Sequence, residues 1–114
     1  MFFNKSFSAL AVALLFSVSA QAATIVAYSG NTCNGNVGNT VPCDGSCRSF
    51  SGRHSLKISG GGPGNCVTVY NKAGCQHERF DQWTSFRLDS GVCRNINTGY
   101  GVESFRCSTD VCLS

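Results

Sequence analysis

Carboxylates and histidines are scarce in this chain, whose 114 residues include six Asp and Glu and two His. Calcium prefers several hard oxygen ligands gathered in one place, and so few scattered carboxylates argue against a tight site. Zinc is no better served. Its structural sites use close ligand pairs such as Cys-x2-Cys, whereas the chain offers Cys43-x3-Cys47 and two lone histidines, His54 and His77. No Gly-x-Ser-x-Gly elbow and no phosphate-cradling loop is present. No metal, no cofactor and no catalytic activity is therefore expected. Proline is nearly absent as well: Pro42 and Pro63 are the two in the chain, both in Gly- and Asn-rich stretches, and no Pro-rich or charged linker divides it. Nothing reads as a long amphipathic helix, and beyond the first segment no apolar run approaches membrane-spanning length.

That first segment has a basic start at Lys5, an apolar run from Phe7 to Val18 and small residues at Ala20-Gln21-Ala22, the layout of a secretory leader. A dozen apolar residues make about 18 Å of helix against about 30 Å of hydrocarbon, too short for an anchor. Residues 1–22 are read as a signal peptide and 23–114 as one domain, since the 92 residues left of 114 are too few for two. All eight cysteines lie in that part, downstream of an export signal, so four disulfides are the default. No two cysteines are adjacent, which excludes the paired-cysteine layout of hydrophobins. With every thiol in a bridge, none is left as a nucleophile. Without Lys5 the balance is eight Lys and Arg against six Asp and Glu, a net charge of +2. That permits weak attraction to anionic surfaces but not the basic stripe of a nucleic-acid binder, and no nucleic-acid partner is expected. Asn4-Lys5-Ser6, the one glycosylation sequon, falls in the leader.

What the chain has in plenty is short β-prone segments set off by glycine turns. Strands are expected near Thr24–Tyr28, Ser55–Ile58, Val67–Tyr70, Thr84–Leu88 and Glu103–Cys107. Ser85-Phe86-Arg87-Leu88-Asp89 alternates as a half-buried strand does. Two stretches also line up with each other. Ile25-Val26-Ala27-Tyr28 leads to Cys33 as Val67-Thr68-Val69-Tyr70 leads to Cys75, with Tyr five residues before Cys in both. Cys47-Arg48 then matches Cys93-Arg94, and Ser55-Leu56-Lys57 matches Ser104-Phe105-Arg106. Two internal repeats, about 24–59 and 66–108, would each form a Greek-key unit and bury each other's apolar faces in a sandwich or barrel.

Tyr28-Ser29-Gly30 ahead of Cys33, the pair Cys43 and Cys47, the run Val69-Tyr70-Asn71-Lys72-Ala73-Gly74-Cys75, then Cys93 and Ser104-Phe105-Arg106-Cys107 cover nearly the whole mature chain. In these features it resembles the plant antimicrobial peptides of the macadamia type and the βγ-crystallin-like killer toxins of yeast and Streptomyces. The resemblance implies an all-β, disulfide-rich, βγ-crystallin-like double Greek key, with Cys33 joined to Cys93, Cys43 to Cys107 and Cys47 to Cys75. Cys66 and Cys112 fall outside the family pattern and would then pair with each other, pinning the tail. Spacing alone leaves on the order of a hundred pairings open. Many βγ-crystallin-type domains bind calcium through an acidic or amide pair followed two residues later by Ser/Thr-Ser. The closest match, Phe80-Asp81-Gln82-Trp83-Thr84-Ser85, has Phe in the first ligand position.

For function, the resemblance implies an exported protein that binds microbial wall glycans or membranes, with an antimicrobial or antifungal effect, and a monomer is the default expectation. A second class is an effector that binds a host extracellular protein or glycan. The low net charge keeps this reading open, because electrostatic attack on membranes normally needs more. A third is a small ribonuclease resting on His54, His77 and Glu78, with Arg48, Arg53, Arg79 or Arg106 to clamp phosphate. Two histidines on polar loops are more simply solvated. The candidate binding surface is Lys72, Arg79, Phe80 and Trp83, whose aromatic rings could stack on a glycan or dip into a membrane interface. The plainer expectation is that both rings cover the small core. The other cationic residues, Arg48, Arg53, Lys57, Arg87, Arg94 and Arg106, are read as solvated strand faces, with the alternative that the folded barrel gathers some of them into one cationic patch. Thiol titration of the exported protein should find no free cysteine, and reduction should abolish its near-ultraviolet circular dichroism.

Overall fold

The computed structural model describes residues 22–109 and Cys112. Apart from Ala22, the leader read in residues 1–22 lies outside the described residues. Eight strands follow in order: β1 (Thr24–Tyr28), β2 (Val41–Pro42), β3 (Asp44–Ser49), β4 (Ser55–Ser59), β5 (Asn65–Tyr70), β6 (Trp83–Leu88), β7 (Cys93–Asn95) and β8 (Ser104–Ser108). One 3-10 turn, Ala73–Cys75, is the only helical element among the described residues. The strands make two antiparallel sheets of four, ordered β2-β1-β4-β7 and β3-β8-β5-β6.

Side-chain alternation places the core between the sheets. Ala23, Ile25 and Ala27 from the first strand region, Leu56 and Ile58 from β4, Val67 and Val69 from β5, and Phe105 and Cys107 from β8 form one buried cluster with Phe50 and Leu88. Phe50 meets Phe105 edge to face, ring centroids 5.8 Å apart, which is the favoured geometry for two buried rings. Each aliphatic side chain buried there contributes about 1.5–3 kcal/mol. All six residues of β5 are buried, so its other face is covered too. Thr68 shares a hydrogen bond with Ser85 on that face at 2.7 Å, and the Cys66–Cys112 bridge fastens the end of the chain to it.

The three strands not expected from the sequence are β2, β3 and β7, and all lie at sheet edges. β2 is two residues long and holds Pro42. β3 is polar, places Gly45 at φ 86° and shifts register between Asp44 and Cys47, as a bulge does. β7 is exposed at every position. An edge strand needs neither an apolar face nor a full ladder of hydrogen bonds, so periodicity does not mark it.

One exchange sets the topology. β3 leaves the sheet of its sequence neighbours β1, β2 and β4 to pair with β8, while β7 leaves β5, β6 and β8 to pair with β4. The loops after β1 and β5 are anchored in matching ways. Cys33 and Cys75 are the non-glycine residues with positive φ among the described residues, at 58° and 54°. The Cys33 N–H donates to Ser55 Oγ at 2.8 Å, and the Cys75 N–H to Ser104 Oγ at 2.9 Å. Each serine hydroxyl donates in turn to a loop carbonyl, that of Gly30 from Ser55 and that of Lys72 from Ser104. Each cysteine is then bridged to an exchanged strand, Cys33 to Cys93 of β7 and Cys75 to Cys47 of β3. A third bridge, Cys43–Cys107, joins the link between β2 and β3 to β8.

Ser55 and Ser104 are both fully buried, so replacing either by Ala strands a loop carbonyl and an amide without a partner. Each substitution should lower unfolding free energy by about 1–3 kcal/mol in urea titration with the bridges intact.

Candidate functional site

Of the candidate surface residues, Trp83 opens β6, and Lys72, Arg79 and Phe80 sit on one loop between β5 and β6. Its neck is closed by Asn71 and Gln82: the Asn71 N–H donates to the Gln82 carbonyl at 3.0 Å, and the Gln82 N–H to Asn71 Oδ1 at 3.1 Å. At the far end the Asp81 N–H donates to the Glu78 carbonyl at 2.9 Å, closing a four-residue turn with Arg79 and Phe80 at its centre. Asp81 holds the turn in shape. Its Oδ2 accepts the Glu78 N–H at 3.0 Å, and its Oδ1 meets Lys72 Nζ at 3.0 Å, the one ion pair among the described residues. These contacts keep the Asp81 carboxyl below its ordinary value of 3.8, chiefly through the Glu78 amide and then through Lys72. Both Asp81 oxygens are engaged within the loop, and Ser85 of the calcium-like run is bonded to Thr68.

Phe80 stands out from this turn with 86% of its surface exposed, and the Arg79 guanidinium lies 5.4 Å from the ring centroid. The expectation that Phe80 covers the core is wrong. The turn hydrogen bond aims residue 80 away from the sheets, and the loop is too polar to fold the ring back. Trp83 opens β6 and is half-buried. The His77 ring sits between Trp83 and buried Tyr70, with centroids 6.3 and 5.9 Å away. Lys72, Arg79 and Phe80 thus share the loop, while Trp83 flanks its base.

The residues of the nuclease reading are dispersed. His54 follows β3 and donates from Nδ1 to the Ser29 carbonyl at 2.6 Å, lining a cavity with Glu103 and Tyr100 that His77 does not line. Arg106 donates to the Gly45 carbonyl at 2.9 Å. Arg94 lies 4.2 Å from the Phe86 ring centroid, and Arg87 is hydrogen-bonded to the Gly64 carbonyl. Arg48 and Arg53 are an exception to the reading of the cationic residues as separate solvated faces, since both line one cavity of about 300 Å³ between the sheets. The sequence carries one partial signal of that grouping: both residues fall between the paired cysteine Cys47 and the buried Ser55.

The chain matches no protein-family model, no curated protein and no solved structure.

A carboxyl held low in the folded state contributes stability that is complete above its unfolded value of 3.8 and fades as pH falls through the lower folded value. Below about pH 4 the loop should therefore loosen. The protection factor of the Glu78 amide, its exchange rate relative to the intrinsic rate at the same pH, should fall in that window in the wild-type protein, and Asp81→Asn should show the lower protection already at neutral pH.

Proposed function

We propose that the chain is an exported recognition protein of the βγ-crystallin-like double Greek-key type, attaching to microbial walls or membranes through the Arg79–Phe80 turn and restraining growth from there. Four disulfides fit an oxidising compartment. The double Greek key is supported by the strand orders: raising each of β1–β4 by four, with β7 becoming β3, turns one sheet's order into the other's. On this reading the chain is two repeats, each lending its third strand to its fellow.

The observation that carries the functional reading is the exposed Phe80 ring on a turn fixed by Asp81. An aromatic ring held out in water binds with little further loss of freedom, because its backbone is already ordered. A cationic neighbour suits it to a sugar face or to the headgroup level of an anionic bilayer. The low net charge favours attachment through this ring over long-range attraction. The same ring on a weakly charged body also suits the second reading, an effector that binds a host extracellular protein or glycan.

The oxidised protein should sediment with fungal or bacterial walls, or with vesicles containing anionic lipid, and slow growth of the same cells. Phe80→Ala should weaken sedimentation about tenfold while leaving the thermal midpoint unchanged, since the ring touches no core residue. Absence of both sedimentation and inhibition would reject this reading. Capture of a host extracellular component dependent on Phe80, without inhibition, would establish the second.

A further inference from the structure

The cavity of about 300 Å³ lies between the two sheets, on the side where β2 edges one and β3 the other. Ala27, Val41 and Phe105 give it an apolar floor. Arg48 reaches it from β3, and Arg53 from the turn that follows. Asn39, Ser49 and Ser51 complete its polar wall, and no acidic residue among the described residues lines it, whereas Glu103 lines a second cavity that Arg53 also borders.

Both guanidiniums have donors to spare. Arg53 is held from behind, Nη1 donating to the Asn36 carbonyl at 2.9 Å. Gly38 packs against it, and a Cβ there would lie 3.0 Å from the Ala27 carbonyl and in ordinary contact with the guanidinium. Arg48 has its Nε buried with no acceptor among the described residues. Asp44, whose carboxyl is held low chiefly by Ser46 and only in smaller part by Arg48, accepts the Ser46 amide at 3.0 Å and does not line the cavity. Two cationic forks facing a partly enclosed space without an acid call for an anion, and a planar guanidinium matches the two oxygens of a carboxylate. The rest of the lining narrows the choice. Two hydroxyls and an amide offer both donors and acceptors, as a polyol requires, and the apolar floor suits the C–H face of a ring. The volume is at the small end for ligand sites and fits one ring rather than a long chain.

We propose that this cavity binds a carboxylated sugar, a hexuronate unit of an acidic polysaccharide, with Arg48 and Arg53 on its carboxylate and Asn39, Ser49 and Ser51 on its hydroxyls. The site shares no residue with the Arg79–Phe80 turn and does not depend on that turn binding anything.

Calorimetry of the oxidised wild-type protein with trigalacturonic acid, a neutral galactose trisaccharide and inorganic phosphate tests the ligand class. The uronate should bind at least about tenfold more tightly than either of the others. Arg48→Gln and Arg53→Gln should each weaken it about ten- to a hundredfold, the loss expected for a charge-assisted bond. Lys57→Gln, which removes the same charge outside the cavity, should leave it unchanged. Should either arginine variant fail to fold, amide shifts in wild-type NMR spectra locate the site: trigalacturonic acid should move Asn39, Ser49 and Ser51 and spare Arg79 and Phe80. Equal affinity for the neutral trisaccharide or for phosphate, equal loss in Lys57→Gln, or shifts confined to the Phe80 loop would overturn the assignment. Phe80→Ala should leave uronate binding intact, so the fate of either surface is read without the other.

Discussion

The fold depends on a strained cysteine seated on a buried serine. A non-glycine residue with positive φ is disfavoured, and it persists where the surroundings over-determine it. Around Cys33 that determination comes from three directions: its amide on Ser55, its sulfur 3.4 Å from the Leu56 carbonyl, and its bridge to Cys93. Cys75 repeats the arrangement with Ser104, Phe105 and Cys47. Hydrogen bonding folds each loop back over its own sheet, and the covalent bond ties it to the strand that came from the other half of the chain. A chain with 13 glycines and a modest core has little other means of fixing long loops, and cross-links closing 60- and 64-residue separations remove much freedom from the unfolded state.

The strands that carry the core were legible in the sequence because they alternate: Ile25 with Ala27, Leu56 with Ile58, Val67 with Val69, Phe105 with Cys107. Burial on one face imposes a period of two, and that period can be read. The edge strands were illegible for the converse reason. Cys93-Arg94-Asn95 buries nothing, and Asp44-Gly45-Ser46 reads as a turn because its glycine sits at a bulge. The all-β class and the antiparallel sheets follow from the first group alone, whereas the way the sheets share strands is decided by the second.

The candidate surface was legible as a stretch of sequence but not as a shape. Gln76 to Trp83 stands out by mixing charge with aromatics, yet composition does not say which ring turns outward. That is settled by the Asp81–Glu78 turn, a local hydrogen-bond pattern that fixes Phe80 at its apex while Trp83, three residues on, joins the ladder opposite Tyr70. Arg48 and Arg53 were less legible still. One lies on an irregular edge strand and the other in the following turn, and they border one cavity because the turn at 51–52 carries the chain back past the end of β3. The charges of a sparsely charged protein are informative when the backbone gathers them, and the gathering is done by residues with no charge.

The trading of β3 and β7 has an evolutionary consequence. A piece of chain ending before β5 would hold a sheet lacking an outer strand and an orphan strand with no sheet to join, and the remaining piece would have the mirror-image defect. Neither fragment is a lesser version of the whole. Selection therefore acts on the two halves together, because a substitute for either must offer a strand to give and an edge to receive one.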